Sequence, residues 1–151
     1  MFKHMLWFLF AGPIAFIQFA VSSEAPCSAG ARYPELLRGE IPLYPPIARS
    51  AHITGTVVIE VTVERGSVTG ARLTSESNPY LANPSLANVK AWQFQPEDRT
   101  TFLVEYVYQI RGEETLLPEN PRVELDLPCR VKVTASPFKP TETYGSTDSN
   151  A

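Results

Sequence analysis

The sequence predicts an α+β fold of two layers, in which a small antiparallel sheet carries helices on one face. The first observation is a stretch that alternates apolar and polar residues from Gly55 and ends at the turn pair Arg65-Gly66. The second is a helix signal at Asn83-Pro84, and the third is an aromatic and β-branched stretch over residues 102–110. The predicted order is strand, strand, helix, strand, followed by a C-terminal strand extension.

The first two strands form a predicted hairpin. Glycine takes positive φ without a Cβ clash, so Gly66 suits a tight turn, and residues 67–75 are expected to return as the second strand. Apolar residues at every second position make one face of the first strand apolar. These residues are Val57, Ile59, Val61 and Val63.

The predicted helix follows this hairpin. Asn83 is a good N-cap residue, and Pro84 is tolerated at the first helical position because its missing N–H would have no partner there. The sequence Phe94-Gln95-Pro96 ends the helix. We interpret Trp92 and Phe94 as core residues and not as part of a cofactor site.

The N-terminus resembles a secretory signal peptide. Lys3 precedes an apolar run over residues 5–21, and small residues follow it. We therefore expect residues 1–25 to be a signal peptide and the mature protein to lie in the periplasm or to be secreted. The run approaches the span of about 20 residues that crosses a bilayer, so the alternative is an inner-membrane anchor through residues 5–21.

Cys27 and Cys129 are the two cysteines of the chain. In an exported protein this number predicts one disulfide bond. The bond would close a loop of about 100 residues and stabilise the fold by about 4–5 kcal/mol at most. A redox or intermolecular role is the alternative.

Composition and motifs argue against catalysis and nucleic-acid binding. The net charge of -3 gives no general affinity for phosphate backbones. His52 lacks the partners of a catalytic triad or a metal site, and Glu60 and Glu64 share the polar face of a strand. We expect no enzyme activity, no cofactor, no metal and no small-molecule substrate.

An ordered set of motifs resembles the C-terminal domain of TonB, the periplasmic energy transducer of Gram-negative bacteria. The set opens with Tyr-Pro, Ala-Arg and Gly-x-Val, continues with a turn glycine, and ends with Trp-x-Phe-x-Pro. Ser85 and Asn88 stand where the family prefers small alanine. In this chain the motif residues are Tyr44, Pro45, Ala48, Arg49, Gly55, Val57, Gly66, Trp92, Phe94 and Pro96.

The resemblance implies a protein-interaction module associated with TonB-dependent transmembrane transport. Such domains bind an extended motif of an outer-membrane receptor by adding it as a strand at the sheet edge. The family places that contact on the last core strand. The implied partner-binding residues are therefore Phe102, Leu103, Val104, Glu105, Tyr106, Val107 and Tyr108.

Only residues 26–41 lie between the predicted leader and the domain. Fully extended, this linker reaches only roughly 55 Å, so we expect the spacer and motor end of an energy transducer to be missing. The partner is expected to be a TonB-dependent outer-membrane transporter or another periplasmic protein. Exposed strand edges also permit a homodimer by strand exchange.

The remaining divisions follow the core. Residues 42–112 form the TonB-like domain, residues 113–135 the strand extension and residues 136–151 a disordered tail. The extension alternates over residues 122–127 and 130–135, so it could itself cover the edge of residues 102–110. The alternative function is therefore a secreted, disulfide-stapled structural domain with a closed edge and an unrelated partner.

Overall fold

A seven-stranded mixed sheet forms most of the structure. The computed structural model describes residues 26–28, 31–115 and 119–138; the predicted signal peptide and residues 139–151 of the predicted tail lie outside this range. The elements are β1 (Leu36–Arg38), α1 (Pro46–Ser50), β2 (Gly55–Glu64), β3 (Ser67–Leu73), α2 (Pro79–Lys90), β4 (Gln93–Phe94), β5 (Thr100–Ile110), β6 (Arg122–Asp126) and β7 (Arg130–Ala135).

The predicted fold class is wrong. The strands lie in the order β1-β4-β3-β2-β5-β7-β6, and within the described residues only two short helices accompany them. The predicted linker contributes β1, and the C-terminal extension contributes β6 and β7 to the same sheet. All neighbouring pairs are antiparallel except β5 and β7, which are parallel. Apolar alternation identifies a strand but does not show its direction or its neighbour, so the prediction stopped at a small antiparallel sheet.

The turn between β2 and β3 is a two-residue turn with positive φ at Arg65 and Gly66, at 51° and 84°. Such turns match the right-handed twist of the strands they join. A Cβ on Gly66 would lie 2.6 Å from the carbonyl oxygen of Phe94, so the close approach of β4 also requires glycine. The predicted hairpin is therefore present.

Helix α2 begins earlier than predicted. Its N-cap is Asn78, whose side chain accepts a hydrogen bond from the Tyr80 N–H at 3.0 Å, and Pro79 is the first helical residue. The Asn-Pro signal occurs twice in this region, and the first copy starts the helix. Pro84 of the second copy lies inside the helix.

The core lies between the helices and the inner face of the central strands. Val57, Ile59 and Val61 of β2 are buried, as are Trp92 and Phe94 after α2. In the part of the chain that the structure describes, no helix is long and apolar enough to cross a membrane.

Candidate strand-addition site

The predicted partner-binding residues all lie on β5, a central strand of the sheet and not an edge. Those with inward side chains are buried: Phe102, Val104, Tyr106 and Tyr108. Leu103, Glu105 and Val107 lie half-buried on the opposite face. One side of β5 pairs with β2 along residues 100–108.

The other side of β5 is covered by β7 from Glu105 to Ile110. The Glu105 N–H donates to the Cys129 carbonyl at 2.8 Å, and the Arg111 N–H donates to the Ala135 carbonyl at 2.9 Å. An ion pair between Arg130 and Glu105, at 2.6 Å, adds to this ladder and raises the pKa of the arginine. Among the described residues, no strand pairs with β5 on this side before Glu105. Only the start of the predicted docking edge therefore stays uncovered.

Strand β7 belongs to the hydrophobic core. Val131 and Val133 are fully buried, and Ala135 is nearly so. Fully burying a valine side chain is worth about 1.5–3 kcal/mol, so detaching β7 from β5 would cost several times the thermal energy. The closure of β5 is a structural part of this fold.

The predicted disulfide is present and lies at the start of β7. Cys27 and Cys129 are bonded with their Cα atoms 5.2 Å apart and 102 residues apart in sequence. The Cys27 N–H donates to the hydroxyl of Tyr33 at 3.0 Å, and the Tyr33 ring meets Phe102 edge-on. The bond therefore ties the N-terminal segment to the hairpin that covers β5.

A buried arginine holds the other end of the same strand. The Arg49 guanidinium donates to the Ser136 carbonyl at 2.8 Å, to the Ser136 hydroxyl at 2.8 Å and to the Glu119 carbonyl at 2.9 Å. Its side chain also lies over the ring of Phe138. Residues 136–138 of the predicted tail are thus packed against α1. Carbonyl and hydroxyl oxygens accept all three hydrogen bonds of this arginine.

Two polar residues of α2 bind the buried tyrosines of β5. The Ser85 hydroxyl lies 2.9 Å from the Tyr108 hydroxyl, and the Tyr106 hydroxyl donates to the Asn88 side-chain oxygen at 2.8 Å. Burial raises the pKa of both tyrosines, and it raises the pKa of Tyr44, whose hydroxyl donates to the Ile53 carbonyl, to about 12. These hydroxyls therefore stay protonated near neutral pH and act as fixed hydrogen-bonding groups.

Strand β6 forms the outer edge on this side of the sheet. The Glu105 N–H donates to the carbonyl of Cys129, and main-chain groups point to the same side at every second residue of a strand. The main-chain groups of Val131 and Val133 therefore also face β5. Val123 and Leu125 lie opposite these two residues, so their own N–H and C=O groups point away from β7. In the described part of the chain no further strand pairs with them. Sequence reasoning missed this edge, although the alternation over residues 122–127 signalled the strand.

An apolar surface adjoins this edge. A cavity of about 50 Å³ lies between the N-terminal segment and the β6–β7 turn; its lining includes Leu36, Ile41, Trp92, Leu125 and Leu127. Leu125 and Leu127 are 46% and 43% exposed, and Ile41 is 65% exposed. The Trp92 Nε1 is buried without a hydrogen-bond partner within the described residues. A strand added to β6 would therefore place its inward side chains beside apolar groups.

The opposite face of β6 is charged. Glu124 pairs with Lys132 at 3.0 Å and with Arg122 at 3.5 Å. The hydrogen bond from Lys132 is the main reason why the pKa of Glu124 is lowered. Asp126 is exposed beside Arg130 on the neighbouring strand. A bound strand would thus meet an apolar row on one face and alternating charges on the other.

The described residues bring one cluster of metal-ligand types together: Cys27, Asp126 and Cys129, with ligand atoms within 4.8 Å. Both sulfurs are held in the disulfide, so the cluster offers no thiolate.

Comparison with known families matches residues 40–111 to the family described as Gram-negative bacterial TonB protein C-terminal. The matched residues include α1 and run to the end of β5, and they leave β6 and β7 outside. No curated protein matches the chain. This family consists of protein-interaction domains associated with TonB-dependent transport, and it indicates a location in the periplasm or envelope. The resemblance predicted from the motifs is confirmed: residues 40–111 are a TonB C-terminal domain.

Proposed function

We propose that this chain is a protein-interaction module that binds an extended segment of its partner by strand addition at the outer edge of β6. The partner class that the family suggests is an outer-membrane transporter or another periplasmic protein. The observation that carries the proposal is the outward direction of the Val123 and Leu125 main-chain groups, together with the pairing of β7 to β5. Open main-chain groups at a sheet edge are the natural template for an added strand.

The edge of β6 supports this role better than the edge of β5. Binding along β5 would require β7 to leave, with loss of the buried Val131 and Val133 and of the bonds from Arg49. On the side of β5 that faces β7, the uncovered main-chain groups belong to Thr101 and Leu103, which lie before the point where β7 begins to pair. The edge of β6 likewise offers two such residues, Val123 and Leu125, but it also adjoins the exposed side chains of Leu125 and Leu127, and binding there leaves β7 in place.

Proline substitution tests the proposal because it removes one main-chain N–H. Val123→Pro deletes an outward N–H of β6, and the inward ladder to β7 is untouched, as suits proline at a sheet edge. Leu103→Pro does the same at the uncovered start of β5. We expect calorimetric titration of transporter-motif peptides to show binding to the wild type and to Leu103→Pro, and loss of binding to Val123→Pro.

Val123→Ala is the matched control, because it shortens the side chain and keeps the N–H. Binding lost in Leu103→Pro and retained in Val123→Pro would move the site to β5. A folded wild type that binds no such peptide would favour the alternative of a disulfide-stapled structural domain with an unrelated partner. The closure of β5 by β7 is the observation that supports this alternative.

A further inference from the structure

We propose that β6 pairs edge to edge with β6 of a second copy of this chain, antiparallel and with Glu124 at the two-fold axis. Nothing is exchanged between the copies in this arrangement, unlike in the predicted strand-exchange dimer. The strand lies outside the matched residues 40–111, so the surface belongs to this chain's own extension. The inference does not depend on peptide binding at β6.

The residues of β6 are complementary to those of a second β6 that runs in the opposite direction. In the antiparallel register centred on Glu124, Arg122 lies opposite Asp126 of the second copy, and Val123 lies opposite Leu125 of the second copy. Extending the register by one residue places Pro121 opposite Leu127 of the second copy. Apolar residues therefore meet apolar residues on one face, and opposite charges meet on the other.

The main-chain geometry suits the same register. The outward N–H and C=O groups belong to Val123 and Leu125, and these are the residues that face each other across the axis. Residues that exchange both hydrogen bonds form the closely bonded pairs of an antiparallel ladder. Val123 with Leu125 of the second copy, and Leu125 with Val123 of the second copy, are two such pairs, which give about four hydrogen bonds between the copies.

The charges balance in this register. The charged face around β6 is neutral in each copy, because three cations balance three anions: Arg122, Arg130 and Lys132 against Glu105, Glu124 and Asp126. The two Glu124 side chains meet at the axis, but each is already bound by Lys132 at 3.0 Å and Arg122 at 3.5 Å. A shift by two residues in either direction removes both pairs between Arg122 and Asp126. A shift one way sets Glu124 opposite Asp126, and a shift the other way pairs Arg122 with Glu124 but sets Leu125 opposite Pro121, which has no N–H to donate. Charge and main-chain donors together therefore favour the centred register.

Self-pairing also covers exposed apolar groups. Leu125 and Leu127 are nearly half exposed in the single chain, beside an open strand edge. An edge with exposed apolar side chains is a template for association unless something blocks it. In the centred register Val123 and Pro121 of the second copy lie against these two leucines.

Charge reversal provides the test. Arg122→Asp places aspartate opposite Asp126 at both ends of the dimer, and Asp126→Arg places arginine opposite Arg122. An equimolar mixture of the two variants restores an opposite-charge pair at each end. We expect each variant alone to associate about tenfold more weakly than the wild type, and the mixture to recover wild-type association.

The measurement is sedimentation velocity on the oxidised full chain over a range of concentrations. All variants share the same apolar N-terminal run, so association through that run would not differ among them. Recovery in the mixture also shows that both variants are folded. A wild type that is monomeric at every concentration, single variants that dimerise as well as the wild type, or a mixture that does not recover would each overturn the inference.

The two proposals fail separately. A monomeric chain that binds peptide at β6 would overturn self-pairing and leave the proposed function standing. A dimer that binds no peptide would overturn the proposed function and leave self-pairing standing. If both hold, added peptide lowers the dimer fraction, because both ligands use the same main-chain groups.

Discussion

At the scale of residues, single side chains hold the segments around β5 together. Arg49 bonds two oxygen atoms of Ser136, directly after β7, and the carbonyl oxygen of Glu119, which precedes β6. Ser85 and Asn88 bind the hydroxyls of Tyr108 and Tyr106, the two buried tyrosines of β5. These hydrogen bonds join residues that are far apart in sequence. A sequence motif contains only one partner of each bond.

We predict that Arg49→Lys lowers the free energy of unfolding by about 1–3 kcal/mol, because one ammonium group cannot reach the acceptors of both Ser136 and Glu119. Urea denaturation followed by circular dichroism measures the change. Arg72→Lys is the matched control, since Arg72 pairs with Glu60 on an exposed face and its replacement should cost about 0.5 kcal/mol or less. Equal losses in the two variants would contradict the role assigned to Arg49.

At the scale of elements, the β6–β7 hairpin changes which strand forms the outer edge beside β5. Strand β7 extends the sheet and buries apolar side chains, and β6 becomes the new edge. The disulfide holds the start of β7 beside the N-terminal segment. The hairpin therefore moves the available edge from the core domain to the extension.

We predict that replacing both Cys27 and Cys129 by serine lowers the free energy of unfolding by about 4 kcal/mol, because the unfolded chain regains the freedom of a long loop. The variant should still fold, since the buried residues of β7 keep it in the sheet. Reductant should lower the stability of the wild type by a similar amount and leave the double variant unchanged. A loss under about 1 kcal/mol would show that the bond does not act as a staple.

At the scale of the whole molecule, the sheet has two outer strands, β1 and β6, and its other strands are covered on both sides along all or part of their length. Strand β1 has only three residues, so β6 is the longer template. The pattern of amide protection across the molecule reports this arrangement directly.

We predict slow hydrogen exchange for the amides of Val107 and Gln109, which bond to β7, and fast exchange for Leu103, Val123 and Leu125. The Val104 amide, which faces β2, is the internal standard for a protected position. Measurement at low concentration keeps the chain monomeric, and protection of Val123 that grows with concentration would accompany self-pairing. Fast exchange at Val107 would contradict the closure of β5.

The sequence by itself determined the local features: the β2–β3 hairpin with its turn glycine, the existence of α2 and β5, the pairing of the two cysteines and the family of residues 40–111. These follow from periodicity, turn chemistry and short motifs, which act within a few residues of each other. Only the tertiary structure decided which strands are neighbours, that β7 lies parallel to β5, and that β6 is the edge. The reason is physical: alternation shows which side chains face the core, but the identity of the neighbouring strand depends on contacts between distant segments.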